Sequence, residues 1–339
     1  MKSKKTLFIH IGTNKTGTSA IQHSLSQKRK ELSEKGVLYP NTGCIGDAHY
    51  EISRILGFDH GKPPAPEIEQ IAFLDRFNAE IEASCCETCI ISSEYFVLPR
   101  NAALVRAFFS DFNSRIIVYF RRHDHWWLSA YNQAVKTVVQ PPWERGFQGY
   151  LNFNHKKSPQ VGNYRAILDR WDKAFGRENI LVRPYEKEQN QPNILSDFLT
   201  SIGHADLTEI FFNSDVPYVN HSLDSGSIFL LEVFQRMNVT PDIRRLLIDH
   251  VMKNAGLKDD ESPIHPKIRR QIVDEKTPLY KYIANTYLNR SDGLFFREPL
   301  PDPEAAWTNP AYPTIVEVAN IVTQVITGSG KCRKPVFQL

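Results

Sequence analysis

Apolar positions along roughly the first 200 residues follow two alternating rhythms. Short, nearly unbroken apolar runs have the length and content of buried strands: TLFIHI from Thr6, GVLYP from Gly36, TCIISSE from Thr88, RIIVYF from Arg115 and NILVRPY from Asn179. Between them, apolar residues recur every three or four positions and predict helices. One runs from Thr18 to about Lys35 with Ile21 and Leu25 on one face, and the next carries Ile68, Ile71, Leu74, Phe77 and Ile81. Further helices are predicted over Asn101 to Ser110, HDHWWLSAYNQAVK, YRAILDRWDKAF and NILSDFLTSIG. GFDHGKPPAPE and the aromatic stretch QPPWERGFQGYLNFNHKK read as loops, the second long enough to be functional or mobile. From about Asp215 the pattern turns mostly helical, as in SGSIFLLEVFQRMN, and prolines crowd residues 296–313.

Strands separated by helices imply βαβ units and a parallel sheet covered on both faces. The expected fold class is α/β, with a mostly helical C-terminal portion. Ligands in such sheets sit at the carboxyl ends of the strands, which is where Gly12, Glu94, Arg121 and Tyr185 fall. A length of 339 residues fits one large domain or two modest ones. A net charge of +3 is too small to argue for nucleic acid or an anionic membrane, and permits an anionic small ligand held by local positive charge.

The start, MKSKKTLFIHIG, reads as a basic lead into a buried strand, not a signal peptide. No apolar stretch approaches the roughly 18 residues needed to cross a bilayer. The expectation is a cytoplasmic protein, in which the sequons at Asn14, Asn220, Asn238 and Asn289 are chance. The cysteines Cys44, Cys85, Cys86, Cys89 and Cys332 are sparse and odd in number, as suits a reducing compartment. The single C-x-x-C in CCETC lacks a second pair or suitably spaced histidines, so it reads as free thiols at a helix–strand junction.

The candidate chemistry begins in FIHIGTNKTGTSAIQ. Gly12 and Gly17 have the spacing of a Walker A motif, and Ser19 stands at its Ser/Thr position, but Thr18 replaces the lysine and the loop's lysine is Lys15. A turn between strand and helix aims backbone N–H groups at an anion, and Thr13, Thr16, Thr18 and Ser19 offer hydroxyls. The bland alternative is an ordinary turn whose Ser and Thr cap a helix. Together HIGTNKTGTSAIQ, VYFRRHDHWWLSAYNQ and IISSEYFVLP resemble the 5′-phosphosulfate loop, the 3′-phosphate motif and the base-bearing segment of sulfotransferases, especially bacterial ones. FGRENILVRPYEKEQNQPNILSDFLTSIG resembles the family's strand, Tyr-Glu and helix segment, while VNHSLDSGSIFLLEVFQRMN and IANTYLNRSDGLFF resemble its C-terminal region.

The resemblance covers nearly the whole chain and implies a single sulfotransferase domain over 1–339, with a P-loop NTPase-like donor-binding core at 1–205 and a helical portion at 206–339. It implies 3′-phosphoadenosine 5′-phosphosulfate (PAPS) as donor, a hydroxyl acceptor and no metal. Thr13, Asn14, Lys15, Thr16, Gly17, Thr18 and Ser19 would hold the phosphosulfate, with Lys15 at its bridging oxygen. Arg121 and Ser129 match the 3′-phosphate motif, although Arg122 leaves the arginine ambiguous by one residue. Glu94 matches the general base, and Tyr185 the residue near adenine. Trp171 and Phe175 look like core. The animal enzymes' Arg-Lys-Gly segment has no clear counterpart, and Arg333 and Lys334 read as a frayed tail.

His49, at a loop-to-helix start, is weighed both as an acceptor or base contact and as a structural histidine. Trp126 and Trp127 are adjacent on a helix, so at most one faces a ligand and core packing is the plainer reading. The acceptor is expected to be a saccharide hydroxyl, on a glycan, glycolipid or small sugar. Bacterial members of the family include many carbohydrate sulfotransferases, and Trp143, Phe147, Tyr150 and Phe153 mix with polar residues in the expected aromatic loop. The competing readings are a nucleotide-dependent kinase or NTPase, disfavoured by the missing lysine after Gly17, and a non-catalytic nucleotide-binding protein, disfavoured by Glu94 together with Lys15.

Overall fold

The computed structural model describes residues 4–59, 61–211, 223–255 and 262–328. Asn220, Cys332, Arg333 and Lys334 lie outside the described residues. In chain order the elements are β1 Thr6–His10, α1 Thr18–Gln27, α2 Arg29–Glu34, β2 Val37–Leu38, α3 Tyr50–Ile55, α4 Glu67–Ala83, β3 Thr88–Ser92, α5 Ala102–Phe108, β4 Asn113–Arg121, α6 His123–Thr137, α7 Gly146–Lys157, α8 Tyr164–Phe175, β5 Ile180–Tyr185, α9 Ile194–Ser201, α10 Ser225–Arg236, α11 Pro241–Asn254, α12 Pro266–Tyr287 and α13 Ile315–Gly328. Two compact units result, one of Met1–His123, Gly162–Val219 and Asp274–Pro299, the other of Asp124–Val161, Asn220–Val273 and Leu300–Leu339. Among the described residues, no helix is long and apolar enough to cross a membrane.

The first unit is a five-stranded parallel sheet, order β2-β3-β1-β4-β5, flanked by helices. This is the expected α/β class. The chain leaves β1 for one side of the sheet, then crosses to the other, so β1 borders the point where the strand order reverses. Ligands of open parallel sheets bind at the carboxyl side of such a point. Register aligns His10 with Ser92 and Arg121 with Tyr185, so the residues after β1 and β3 and those ending β4 and β5 meet at one edge. On one face Phe8, Ile90, Ile117 and Tyr119 pack against Ile21 and Leu25 of α1 and Leu195 and Phe198 of α9. Away from that cluster, Trp171 of α8 packs against Phe58 and Phe96.

Three elements differ from the sequence pattern. Lys28 leaves helical geometry and splits the expected helix into α1 and α2. In α4 the core face is Phe73, Phe77 and Ile81, whereas Ile68 and Ile71 are exposed at the helix's first turns. The third difference lies in the second unit, where the expected aromatic loop contains α7. Its Phe147, Tyr150 and Leu151 share one helical face and are buried with Trp143, Trp127 and Tyr131, and Phe153 packs against the same cluster. Glycine misled the reading here. A side chain at Gly149 would meet the carbonyl oxygen of Glu144 at 2.4 Å, so this glycine permits close backbone packing and does not mark a flexible loop.

Two buried histidines grip the ends of β1 and β3. His10 Nδ1 lies 2.8 Å from Ser92 Oγ, which also accepts a hydrogen bond from Gln22 Nε2. His49 donates its backbone N–H to Ser92 O (2.8 Å), and its Nδ1 accepts the Ser92 N–H (3.1 Å). Its Nε2 lies 3.0 Å from Pro40 O. Burial pushes both imidazoles down to about 3, so both are neutral in the fold. Unfolding therefore takes up protons below the ordinary value of about 6.5, and stability falls as pH drops from there toward 3. Each histidine contributes a slope of about 1.4 kcal/mol per pH unit in that window. We predict that urea unfolding at pH 7.5 and pH 5 shows this loss, and that His49→Gln removes about one proton from the slope. An unchanged slope in the variant would contradict the assignment.

Candidate active site

The loop after β1 is a rigid turn whose shape comes from its own side chains. Lys15 and Gly17 both have left-handed backbone conformations, at φ 69° and 75°. Gly17 is required there, because a Cβ would also meet the Tyr185 ring at 2.9 Å. Thr16 Oγ1 donates to Thr13 O (2.6 Å), Thr18 Oγ1 donates to the same oxygen (3.2 Å), and Thr13 Oγ1 donates to Tyr119 O. Of the four hydroxyls expected near a phosphate, those of Thr13, Thr16 and Thr18 are buried and hold the chain's own backbone. Asn14 and Ser19 are exposed.

Gly17 gives α1 no side-chain cap. The helices α5, α8, α9 and α10 are capped by Asn101, Asn163, Asn193 and Asp224, whereas α2, α3, α4 and α7 have no side-chain cap, as α1 has none. The first N–H groups of any helix lack intrahelical partners, and with the helix dipole they favour an anion. At α1 no side-chain oxygen at the cap takes that place.

Three charged groups meet at this loop. Arg121 Nη1 donates to Lys15 O (3.2 Å), and its guanidinium lies over the Tyr185 ring at 5.4 Å. Burial lowers the Lys15 pKa, Glu94 pulls it back up, and the Arg121 charge lowers it further. Burial raises the Glu94 pKa, and Lys15 partly offsets that rise. Lys15 and Glu94 thus lie in each other's field, both partly buried.

The two adjacent arginines differ in burial. Arg122 is 3% exposed and donates to the carbonyls of Glu298 (3.2 Å) and Pro299 (2.8 Å). Beside it, the buried Glu186 accepts the N–H groups of Arg297 (2.8 Å) and Glu298 (3.3 Å). Consecutive residues therefore have different work: Arg121 and Tyr185 border the loop, while Arg122 and Glu186 fasten residues 297–299. Glu186 was not singled out from the sequence, where only its place after Tyr185 could have marked it.

His49 is corrected from a candidate catalytic residue to a structural one, since it is fully buried with both ring nitrogens engaged by backbone. In the second unit, Ser129 is partly exposed on α6, Trp127 is core, Trp126 packs against it, and Asp124 pairs with Arg269 at 2.8 Å. Cys85 and Cys86 lie at the α4–β3 junction, and Cys89 is buried in β3. Among the described residues, no cluster of three or more His, Cys, Asp or Glu could hold a metal ion.

No family model matches this chain. An uncharacterized protein of Archaeoglobus fulgidus is 28% identical over 169 residues, which is 48% of this chain and 43% of that protein, so the chain matches less than half the relative's length. A crystal structure of a sulfotransferase from Alicyclobacillus acidocaldarius aligns over 73% of this chain and 91% of its own, at 16% identity and a TM-score of 0.39.

The pair of Lys15 and Glu94 generates a direct prediction. The Glu94 carboxyl, followed by carbon-13 NMR, should titrate above the ordinary glutamate value, and Lys15→Ala should move it higher still. Its folded pKa exceeds its unfolded one, so ionising Glu94 removes stability as pH rises between the two. An ordinary or lowered value would place Glu94 in open solvent or in a tight ion pair, and would contradict the description.

Proposed function

We propose that this chain is a sulfotransferase that moves a sulfuryl group from PAPS to an acceptor hydroxyl. The observation that supports it most is the place of Lys15. It lies inside the loop and is coupled to Glu94, the carboxylate after the neighbouring strand β3. A triphosphate-using enzyme needs its lysine at the β/γ-phosphates. A phosphosulfate has one phosphate and one sulfuryl group, and in this reading Lys15 serves the oxygen that joins them. The residues fit such a donor: the uncapped start of α1 for the 5′-phosphate, the Arg121 fork for the 3′-phosphate, and the Tyr185 ring for the base. Ser129 joins Arg121 in this reading on sequence spacing alone. Asn14 and Ser19 are the loop's exposed polar side chains, and Thr13, Thr16 and Thr18 act through the shape they give it.

PAPS supplies the sulfuryl group. Glu94 takes the proton of the acceptor hydroxyl as the acceptor oxygen bonds to sulfur. The bond from sulfur to the bridging oxygen breaks, and Lys15 neutralises the charge left on adenosine 3′,5′-bisphosphate. Burial serves both roles: it gives Glu94 more affinity for a proton and keeps Lys15 less screened. The acceptor in our reading is a saccharide or glycolipid hydroxyl, though Trp143, Phe147 and Tyr150 are core residues and do not argue for it.

Two sets of measurements test this. Adenosine 3′,5′-bisphosphate should stabilise the protein far more than AMP or ATP, by about 2.7 kcal/mol at 100 times Kd. Arg121→Ala should erase the preference over AMP, whereas Arg122→Ala should lower the melting temperature without ligand. The reverse pattern would exchange the two arginines' roles. In turnover, Lys15→Ala and Glu94→Gln should each lower kcat by about 10²-fold or more. Glu94→Gln should leave adenosine 3′,5′-bisphosphate binding nearly intact, and a fully active Glu94→Gln enzyme would exclude the general-base role.

A further inference from the structure

We infer that Tyr50 and Tyr95 form the acceptor platform, on which a saccharide ring stacks with one hydroxyl toward Glu94; this rests on the sulfotransferase reading above. The placement begins with two anchors. His49 pairs with both backbone groups of Ser92, which binds the start of α3 to the end of β3. One turn along α3, Ser53 Oγ lies 2.9 Å from Ser93 Oγ and adds a second tie. Tyr50 follows the first anchor. Tyr95 follows Glu94, and its backbone N–H is capped by Ser93 Oγ at 3.3 Å.

The two rings consequently meet at 4.9 Å between centroids, tilted by 44°. Arg54, one turn beyond Tyr50 on α3, lies over the Tyr95 ring at 5.8 Å and faces Asp59 at 3.9 Å. Tyr50 lies in the field of Glu94: burial raises its phenol pKa first, and the Glu94 charge raises it further. Both rings are partly exposed, as are those of Tyr185, Tyr282 and Tyr287 elsewhere. Tyr39, Tyr119, Tyr131 and Tyr164 are fully buried, while Tyr50 and Tyr95 are partly open beside the general base.

The chemistry of the surface points to a sugar. The two partly exposed rings offer apolar area, and their phenol groups with the Arg54 guanidinium over Tyr95 supply polar partners. A saccharide ring matches both, with C–H groups for the apolar area and hydroxyls for the polar partners. A phenol or sterol would ask for a drier and more enclosed slot.

The test measures transfer from labelled PAPS to methyl hexosides, lactose and p-nitrophenol, with calorimetry of adenosine 3′,5′-bisphosphate alongside. Transfer to at least one sugar is expected. Tyr50→Ala and Tyr95→Ala should each raise that acceptor's KM about tenfold, with Kd for adenosine 3′,5′-bisphosphate within about twofold of wild type. Tyr→Phe, which keeps the faces, should raise KM less. Should an alanine variant fail to fold, Tyr50→Leu and Tyr95→Leu keep the bulk without the flat face and should give the same rise. Normal adenosine 3′,5′-bisphosphate binding with unaltered acceptor KM in these variants, or transfer to p-nitrophenol and to no sugar, would overturn the platform alone. Loss of the preference for adenosine 3′,5′-bisphosphate over AMP in the wild-type protein, with no transfer to any acceptor, would overturn the sulfotransferase reading and the platform with it.

Discussion

Lys15 and Glu94 are opposite charges, both partly buried, at the carboxyl edge of a parallel sheet, and each is shifted toward its neutral form by burial and drawn back by the other. That balance depends on strand order. β1 and β3 are adjacent and parallel, so the loop after one and the glutamate after the other must meet at the same end. The turn carrying Lys15 is held by hydroxyls of Thr13, Thr16 and Thr18, and the strand end leading to Glu94 by two neutral buried histidines. Groups positioned before a ligand arrives need little rearrangement when charge develops, which is how electrostatic stabilisation is most effective.

The other half of the edge shows how one strand pair serves two purposes. Arg121 and Tyr185 are register partners at the ends of β4 and β5. The residue after each, Arg122 and Glu186, holds the backbone of residues 297–299. Successive residues leaving a strand point in different directions, so Arg121 and Tyr185 border the loop while Arg122 and Glu186 fasten other backbone. The buried arginine satisfies carbonyl oxygens, while its neighbour keeps a guanidinium beside the loop.

The sheet, and the places of the candidate loop, Glu94 and Arg121 at its edge, were legible because their signals are local. A short apolar run, a turn and a helix mark β1 and its loop, and a polar residue closing an apolar strand marks Glu94 and Arg121. What stayed hidden depends on partners far along the chain. Arg121 and Arg122 look alike until residues 297–299 bury one of them. His49 resembled a possible base because its partners, Pro40 and Ser92, are brought to it only by the fold. The threonine hydroxyls looked available because the sequence does not show a loop turning on itself. In α7, glycine and mixed aromatics read as a loop, since Phe147, Tyr150 and Leu151 reveal their helical face only when packed. The pairing of Tyr50 with Tyr95 spans two segments that share no sequence motif.

In the proposed reaction the loop over residues 12–19 would grip the phosphate of a phosphosulfate, with Lys15 at its bridging oxygen and Glu94 across from it. A crystal structure with adenosine 3′,5′-bisphosphate tests it most directly. The 5′-phosphate should lie within hydrogen-bond distance of the N–H groups opening α1 and of the Lys15 ammonium, the 3′-phosphate on the Arg121 fork, and the Glu94 carboxylate facing the open side of the 5′-phosphate. A nucleotide bound elsewhere, or one whose 5′-phosphate lies away from both Lys15 and the start of α1, would contradict it.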